Sequence, residues 1–276
     1  MVPNEVEAVN KEFWVEFRRR MRRIEPDCYI VGEIWTEAAH YLDGDRFDAV
    51  MNYPFRTAAI EFLGKPEGQG IDAEAFDRLL GRLRACYPEP ALRVQFNLLG
   101  SHDTERLKTA AGGEAQRVKL LMSLAFAYPG APALYYGDEV GLEGGKDPGC
   151  RGTYPWDEAR QDRGIRDHVS RLARARAAEP ALRRGSFLPL LAEGRQYAFA
   201  RQPESGEPGR SVVVVLNASS REAAIAVSVS DPWPRACAAR DLLGPREAPI
   251  RQGRLEARLG PLDAAYFVAE APGARD

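Results

Sequence analysis

What this chain of 276 residues has little of narrows its class at once. Its four cysteines, Cys28, Cys86, Cys150 and Cys237, include no Cys-x-x-Cys pair. Neither a zinc site nor a disulfide framework is indicated, and a reducing, cytoplasmic setting fits best. No window approaches the ~18 apolar residues of a membrane-spanning helix, and the N-terminus carries no apolar export core, so neither membrane nor secretion is implied. A dominant charge is missing too. The 38 basic and 40 acidic side chains are interspersed, leaving no basic face for nucleic acid. The one local excess, Arg18-Arg19-Arg20-Met21-Arg22-Arg23, reads as a solvated helix face.

What is present is an ordinary globular composition, 45% hydrophobic, enough for one large domain or a large and a small one. Phe13, Trp14, Phe17, Met21 and Ile24 recur at helical spacing over 8–25, ahead of Pro26. Strands are expected over 29–35, 47–53, 94–100 and 133–137, and further helices over 73–86, 114–127 and 163–178. These strands are nearly continuous apolar runs, as in a parallel sheet covered on both faces. Alternating helices and strands argue for right-handed βαβ units, hence a doubly wound sheet or a (β/α)8 barrel. A full barrel needs about 250 residues, so four strands supply only its C-terminal half.

Beyond about residue 183 the helical pattern stops. Short β-branched runs such as 212–216 and 224–229, punctuated by Gly, Pro and Ser, predict a small antiparallel β-sandwich. The expected organisation is therefore α/β, with the C-terminal half of a TIM (β/α)8 barrel over 1–183 and a β-sandwich domain over 184–276. Residues 202–210 read as a hairpin loop and 271–276 as a frayed tail.

Barrel enzymes set their catalytic groups at the C-terminal ends of strands. Glu33 follows Ile30-Val31-Gly32, so its carboxylate would emerge beside apolar Ile34 and Trp35, where partial desolvation raises a pKa as a general acid requires. Taken alone, an ion-paired glutamate at a strand end is the plainer account. His102-Asp103 closes another strand, and an adjacent imidazole and carboxylate can bind sugar hydroxyls and stabilise positive charge at a ring. That pair alone would also serve as a turn or cap.

Ile30-Val31-Gly32-Glu33-Ile34-Trp35, Phe47 to Pro54, Phe96 to Thr104 and Tyr135-Tyr136-Gly137-Asp138-Glu139 occur in that order. With them the chain resembles the α-amylase family of glycoside hydrolases. Met51-Asn52-Tyr53-Pro54 and Asp147-Pro148-Gly149-Cys150-Arg151 are most similar to its cyclomaltodextrinase, neopullulanase and maltogenic amylase branch. The resemblance covers about residues 2 to 185 closely. It implies Glu33 as general acid/base, Asp103 as the aspartate that distorts the sugar and stabilises the transition state, and His102 as a ligand of the same sugar. It implies Trp35 as an aromatic platform on the leaving-group side, and Asp147 and Arg151 as holders of the next sugar on the non-reducing side. Without the family, a surface salt bridge is the plainer account of Asp147 and Arg151. Asn4 and Glu5 match acceptor-side residues, with a helix-leading Asn-Glu pair as the equal alternative.

The resemblance also carries a departure. Val2 to Val6 resembles the segment directly after the family's nucleophilic aspartate, and Met1 stands in that aspartate's place. The expectation is a chain that carries the acid but not the nucleophile, nearly inactive alone, and completed by a missing N-terminal half or by self-association. The implied partners are α-glucan oligosaccharides or cyclodextrins, cleaved at α-1,4 links, with α-1,6 links open. No cofactor is implied, and nothing in these motifs supports the calcium sites found in the family. A non-catalytic carbohydrate-binding or partner-binding protein on an amylase-like scaffold is the alternative.

Overall fold

The computed structural model describes residues 9–270, so Asn4, Glu5 and the tail 271–276 lie outside the described residues. Helix α1, Lys11–Ile24, starts where the Asn10 side chain accepts a hydrogen bond from Glu12 N at 3.0 Å. It lays Trp14, Phe17 and Met21 against the core formed by Ile30, Ile34, Tyr41 and Phe47. The basic run is more than a solvated face. Arg18 and Arg22 both reach Asp48 Oδ1, at 2.8 and 2.9 Å, while Asp48 Oδ2 accepts from Ile30 N at 2.8 Å. Only the outward Arg19 and Arg20 pair with Glu16 along the helix. The periodicity that made this helix amphipathic therefore also points two arginines inward, at the start of the strand that leads to Glu33.

Four short strands follow: β1 Val31–Gly32, β2 Ala49–Val50, β3 Phe96–Leu98 and β4 Ala131–Ala133. β1 pairs with β2 in parallel and β3 with β4 in parallel, and a parallel bridge from Met51 to Phe96 joins the two pairs. All four chains thus run the same way and end at one face. The strands are shorter than their apolar runs predict, because pairing stops where each chain turns into its loop. The fourth lies at 131–133 rather than 133–137. The buried Asn52 and Asn97 side chains bond to each other at 2.9 Å, so the polar groups at the centre of the four strands are satisfied.

Helices pack outside them. α2, Tyr53–Ala59, begins with the Asn52 side chain accepting from Phe55 N and Pro54 in its first turn, and runs on as a π-helical turn, Ile60–Gly64. α3 Ala73–Cys86, α4 Glu89–Val94, α5 Leu107–Ala110, α6 Ala115–Ala127, α7 Arg163–Ala178 and α8 Pro180–Arg184 complete the set. α6 is the central one, with ten of its residues buried.

The rest is antiparallel: β5 Ser186–Glu193, β6 Gln196–Gln202, β7 Val212–Asn217, β8 Ala223–Ser228, β9 Ala238–Asp241, β10 Glu247–Arg251, β11 Arg254–Leu259 and β12 Asp263–Ala269. The expected β-rich unit is there, but hydrogen bonding runs through all eight strands in the single order β5-β6-β7-β12-β9-β10-β11-β8. The sheet bends back until β8 meets β5, giving a near-barrel in place of two separate sheets. Every residue of β7 is buried, because Val212, Val214 and Leu216 face the helices while Val213 and Val215 face the interior of the folded sheet. β8, with one wet face, alternates buried and exposed.

Candidate functional site

Because β1 to β4 are parallel, the segments that follow them meet at one end. Glu33 comes directly after β1, Tyr53 shortly after β2, His102 and Asp103 after β3, and Gly137-Asp138 after β4. The ligand atoms of Glu33, His102 and Asp103 all lie within 4.8 Å of one another. The residues expected at two separate strand ends therefore form one cluster.

The Glu33 carboxyl is held above the usual carboxylate range, first by burial, then by the negative charge of Asp103 beside it, to which it also hydrogen-bonds. His102 opposes that shift. The Asp103 carboxylate is bracketed: His102 Nε2 lies 3.2 Å from Oδ2, and Arg151 Nη2 lies 3.1 Å from Oδ1. Asp103 N donates to Ser101 Oγ at 3.2 Å, and Ser101 N donates to Thr104 Oγ1 at 2.9 Å, which fixes the turn that presents the pair. Chemically this is a carboxyl whose surroundings favour its protonated form, next to a carboxylate held by an imidazole and a guanidinium.

The loop after β4 delivers the other two predicted residues to the same place. Arg151 Nε contacts Asp147 Oδ1 at 2.6 Å and donates to His102 O at 3.2 Å. The salt bridge expected of Asp147 and Arg151 as plain surface residues does exist. It also extends to Asp103, which puts both in the cluster. Trp35 is 42% exposed and lies flat on the buried Tyr53, with ring centroids 3.8 Å apart and planes 10° apart. One face of the indole is thus covered by protein, and its ring is fixed in orientation.

Tyr53 lies in one of the sequence motifs, yet its part in the site emerges only from the fold. Its hydroxyl donates to Glu33 Oε1 at 3.4 Å and sits 3.4 Å from Ser101 Oγ, and burial pushes its pKa up to about 12, so it stays a neutral donor. Sequence reasoning also missed Cys150 and Arg106. The Cys150 thiol donates to His102 O at 3.0 Å, and the Arg106 guanidinium donates to Cys150 O at 2.6 Å. The one usable signal for them was position, Arg106 three residues past Asp103 and Cys150 one before Arg151.

Among the described residues, Glu33, His102 and Asp103 form the one set of potential ligands close enough to share an ion. Two carboxylates and an imidazole do not supply the six to eight oxygens that calcium takes, so these residues do not fit a calcium site.

Comparison with known proteins agrees with this geometry. The model of the α-amylase catalytic domain matches residues 5–185. The chain belongs to the α-amylase family. It is 46% identical over 211 residues to a cyclomaltodextrinase of Bacillus sp., covering 76% of this chain and 37% of that one. It is 39% identical over 262 residues to neopullulanase 2 of Thermoactinomyces vulgaris, covering 94% and 43%. The solved cyclic α-maltosyl-(1→6)-maltose hydrolase of Arthrobacter globiformis, in complex with that cyclic sugar, superimposes with a TM-score of 0.80 at 34% identity, covering 96% of this chain and 55% of that one. The chain thus spans less than half the length of the curated relatives it matches. Among the described residues, no helix is long and apolar enough to cross a membrane.

Proposed function

We propose that this α-amylase family chain carries the general acid/base, Glu33, and the transition-state-stabilising carboxylate, Asp103, of a retaining α-glucan hydrolase of the cyclomaltodextrinase and neopullulanase kind. The substrates are cyclodextrins, pullulan or short maltodextrins, cleaved at α-1,4 glucosidic bonds, with α-1,6 bonds open. The observation that carries this reading is the raised Glu33 carboxyl within 4.8 Å of Asp103. A protonated carboxyl there can donate to the leaving glycosidic oxygen, and an adjacent carboxylate stabilises the oxocarbenium-like charge left on the ring. His102 and Arg151 hold Asp103 and, with Asp147, offer donors and acceptors to sugar hydroxyls. Trp35 supplies a fixed apolar face for a glucose ring. By resemblance, Asn4 and Glu5 serve the acceptor side.

Retention also needs a carboxylate nucleophile about 5 Å from the acid. Among the described residues no further carboxylate lies within 4.8 Å of both Glu33 and Asp103, and Asp103 is already committed to His102 and Arg151. We therefore assign the nucleophile to a part of the site outside these residues, and read the isolated chain as nearly inactive. Four parallel strands in sequence order support the reading of 1–183 as the C-terminal half of an eight-stranded barrel, with 184–276 as a separate β domain. The complementary half comes from further chain, a partner or a second copy. The four free cysteines support a cytoplasmic setting. The same lack of a third carboxylate favours the second reading, a non-catalytic carbohydrate- or partner-binding protein on this scaffold.

The test is reducing-sugar release from β-cyclodextrin, pullulan and maltotriose by the purified chain beside a Glu33→Gln control. No release above the control is expected. Release abolished by Glu33→Gln would mean that the nucleophile lies within this chain, and the assignment of an incomplete site would fall.

A further inference from the structure

Arg106 is one of the two largest fully buried side chains in the described structure. It sits three residues beyond Asp103, yet its guanidinium turns away from the cluster and into the junction of two other loops. Nε donates to Cys150 O at 2.6 Å, and Nη1 donates to Tyr136 O and lies 3.8 Å from Asp138 Oδ1. Its plane lies over the rings of Tyr135 and Tyr136, 4.0 and 4.4 Å from their centroids. Nη2 is buried and has no hydrogen-bond partner among the described residues. The Arg106 backbone is tied as well, N donating to Gly144 O at 3.0 Å.

These contacts lead back to the site along two routes. On one side, Cys150 held by Arg106 donates its thiol hydrogen to His102 O at 3.0 Å. The next residue, Arg151, donates to the same carbonyl and to Asp103 Oδ1. On the other side, Asp138 packs against Gly100, where a Cβ would come 2.2 Å from Asp138 Oδ2, and it accepts from Leu107 N at 3.3 Å. The segment Gly100 to Leu107, which contains His102 and Asp103, is thus gripped at both ends by groups that converge on one buried guanidinium.

We propose that Arg106 is a positioning residue: it locks the Cys150-Arg151 loop and Asp138 against the turn that presents His102 and Asp103. Its planar fork is essential to this, because one side chain must serve two carbonyls and stack on aromatic faces at once, which a lysine ammonium cannot do. The inference rests on the assignment of His102 and Asp103 to the sugar-cleaving site, but its test is independent of turnover.

The chain has three histidines, His40, His102 and His168, so their Cε1–Hε1 signals in a carbon–proton correlation spectrum form a three-peak reporter. His102 is assigned by its disappearance in His102→Gln. With Arg106→Lys, the His102 peak is expected to shift and broaden while those of His40 and His168 stay in place. Cys150→Ala removes only the thiol donor to His102 O and is expected to displace the same peak by less. Should Arg106→Lys move all three peaks, the fold has loosened, and Cys150→Ala alone decides. A His102 peak unmoved by Cys150→Ala in that case, or by both variants in any case, overturns the proposal.

Discussion

Replacing Asp138 by Asn should make the protein's stability less sensitive to pH in a defined direction. Asp138 is 2% exposed, and burial, working against the Leu107 N–H and the charges of Arg106 and Arg56 and reinforced by Glu139, raises its pKa from 3.8 to about 7. A carboxyl whose folded-state pKa is raised binds its proton more tightly in the folded chain. Its contribution is therefore fully favourable below about 3.8 and is lost as pH climbs through about 7. A shift of roughly 3 units is worth about 4 kcal/mol in full, and the part that falls between pH 5 and pH 8 is about 3 kcal/mol. Asn keeps an acceptor for Leu107 N and cannot ionise. In urea unfolding at pH 5, 6, 7 and 8, the stability of Asp138→Asn relative to wild type should rise steadily with pH by that amount. Other titrations cancel in the difference, as does the fixed cost of the substitution. A difference that is flat, or that falls as pH rises, would show that Asp138 is ionised in the folded chain and that Arg106 compensates it fully, and the burial argument would be wrong.

Asp103→Asn removes the second cause of the raised Glu33 pKa, so Glu33 followed by carboxyl carbon NMR should titrate lower than in wild type. Arg201 is buried and donates to the carbonyls of Ala127, Leu182, Gly185 and Ser186, tying the antiparallel sheet to the helices. Arg201→Met should cost about 3–5 kcal/mol in urea unfolding, and a loss under ~1 kcal/mol would show that water replaces the lost donors. Gly32→Ala places a Cβ 2.7 Å from the buried Phe47 ring and should cost about 1–3 kcal/mol by the same measurement. Trp35→Ala should weaken maltotriose binding about three- to tenfold in calorimetry, the worth of one stacked aromatic face; unchanged affinity would remove Trp35 from the sugar site.

How much of this was legible in the sequence depends on what kind of physics set each feature. The sequence pattern placed α3, α6 and α7 almost to the residue and α1 to within three residues, because those helices are long, and α3 is also opened by the side chain of Asp72 accepting from Ala75 N. It missed α2 and α4, along with the shorter α5 and α8. Of the first two, α2 begins on Asn52-Tyr53-Pro54, which read as the end of a strand. The other, α4, is six residues long and starts Glu89-Pro90 behind Pro88, too short for periodicity to reveal, although proline suits a helix's first turn. The fourth strand was placed late, since Leu134-Tyr135-Tyr136 is as apolar as a strand, yet its pairing with β3 ends at Ala133. The bend that turns eight antiparallel strands into one near-barrel is a property of pairing, which alternation along one strand does not encode.

The site divides the same way. Glu33 and the His102-Asp103 pair were legible as strand-end groups because each stands at the end of its own apolar run, and parallel strands carry all such ends to one face whatever lies between them. Tyr53, Cys150 and Arg106 were not, because each acts through a partner far along the chain: Tyr53 through Glu33 and Ser101, Cys150 through the His102 carbonyl, Arg106 through Cys150 and Tyr136. A buried arginine that binds two carbonyls of another loop looks in sequence like any surface arginine. What distinguishes it is desolvation, and burying a charge is tolerated only where several acceptors converge. Arg106, Arg176 and Arg201 all meet that condition with backbone carbonyls as their acceptors. In an arginine-rich chain, an arginine that extends an apolar run therefore stands out in sequence, as Arg201 does directly after Ala198-Phe199-Ala200, whereas Arg106, which follows Thr104-Glu105, is revealed only by the fold.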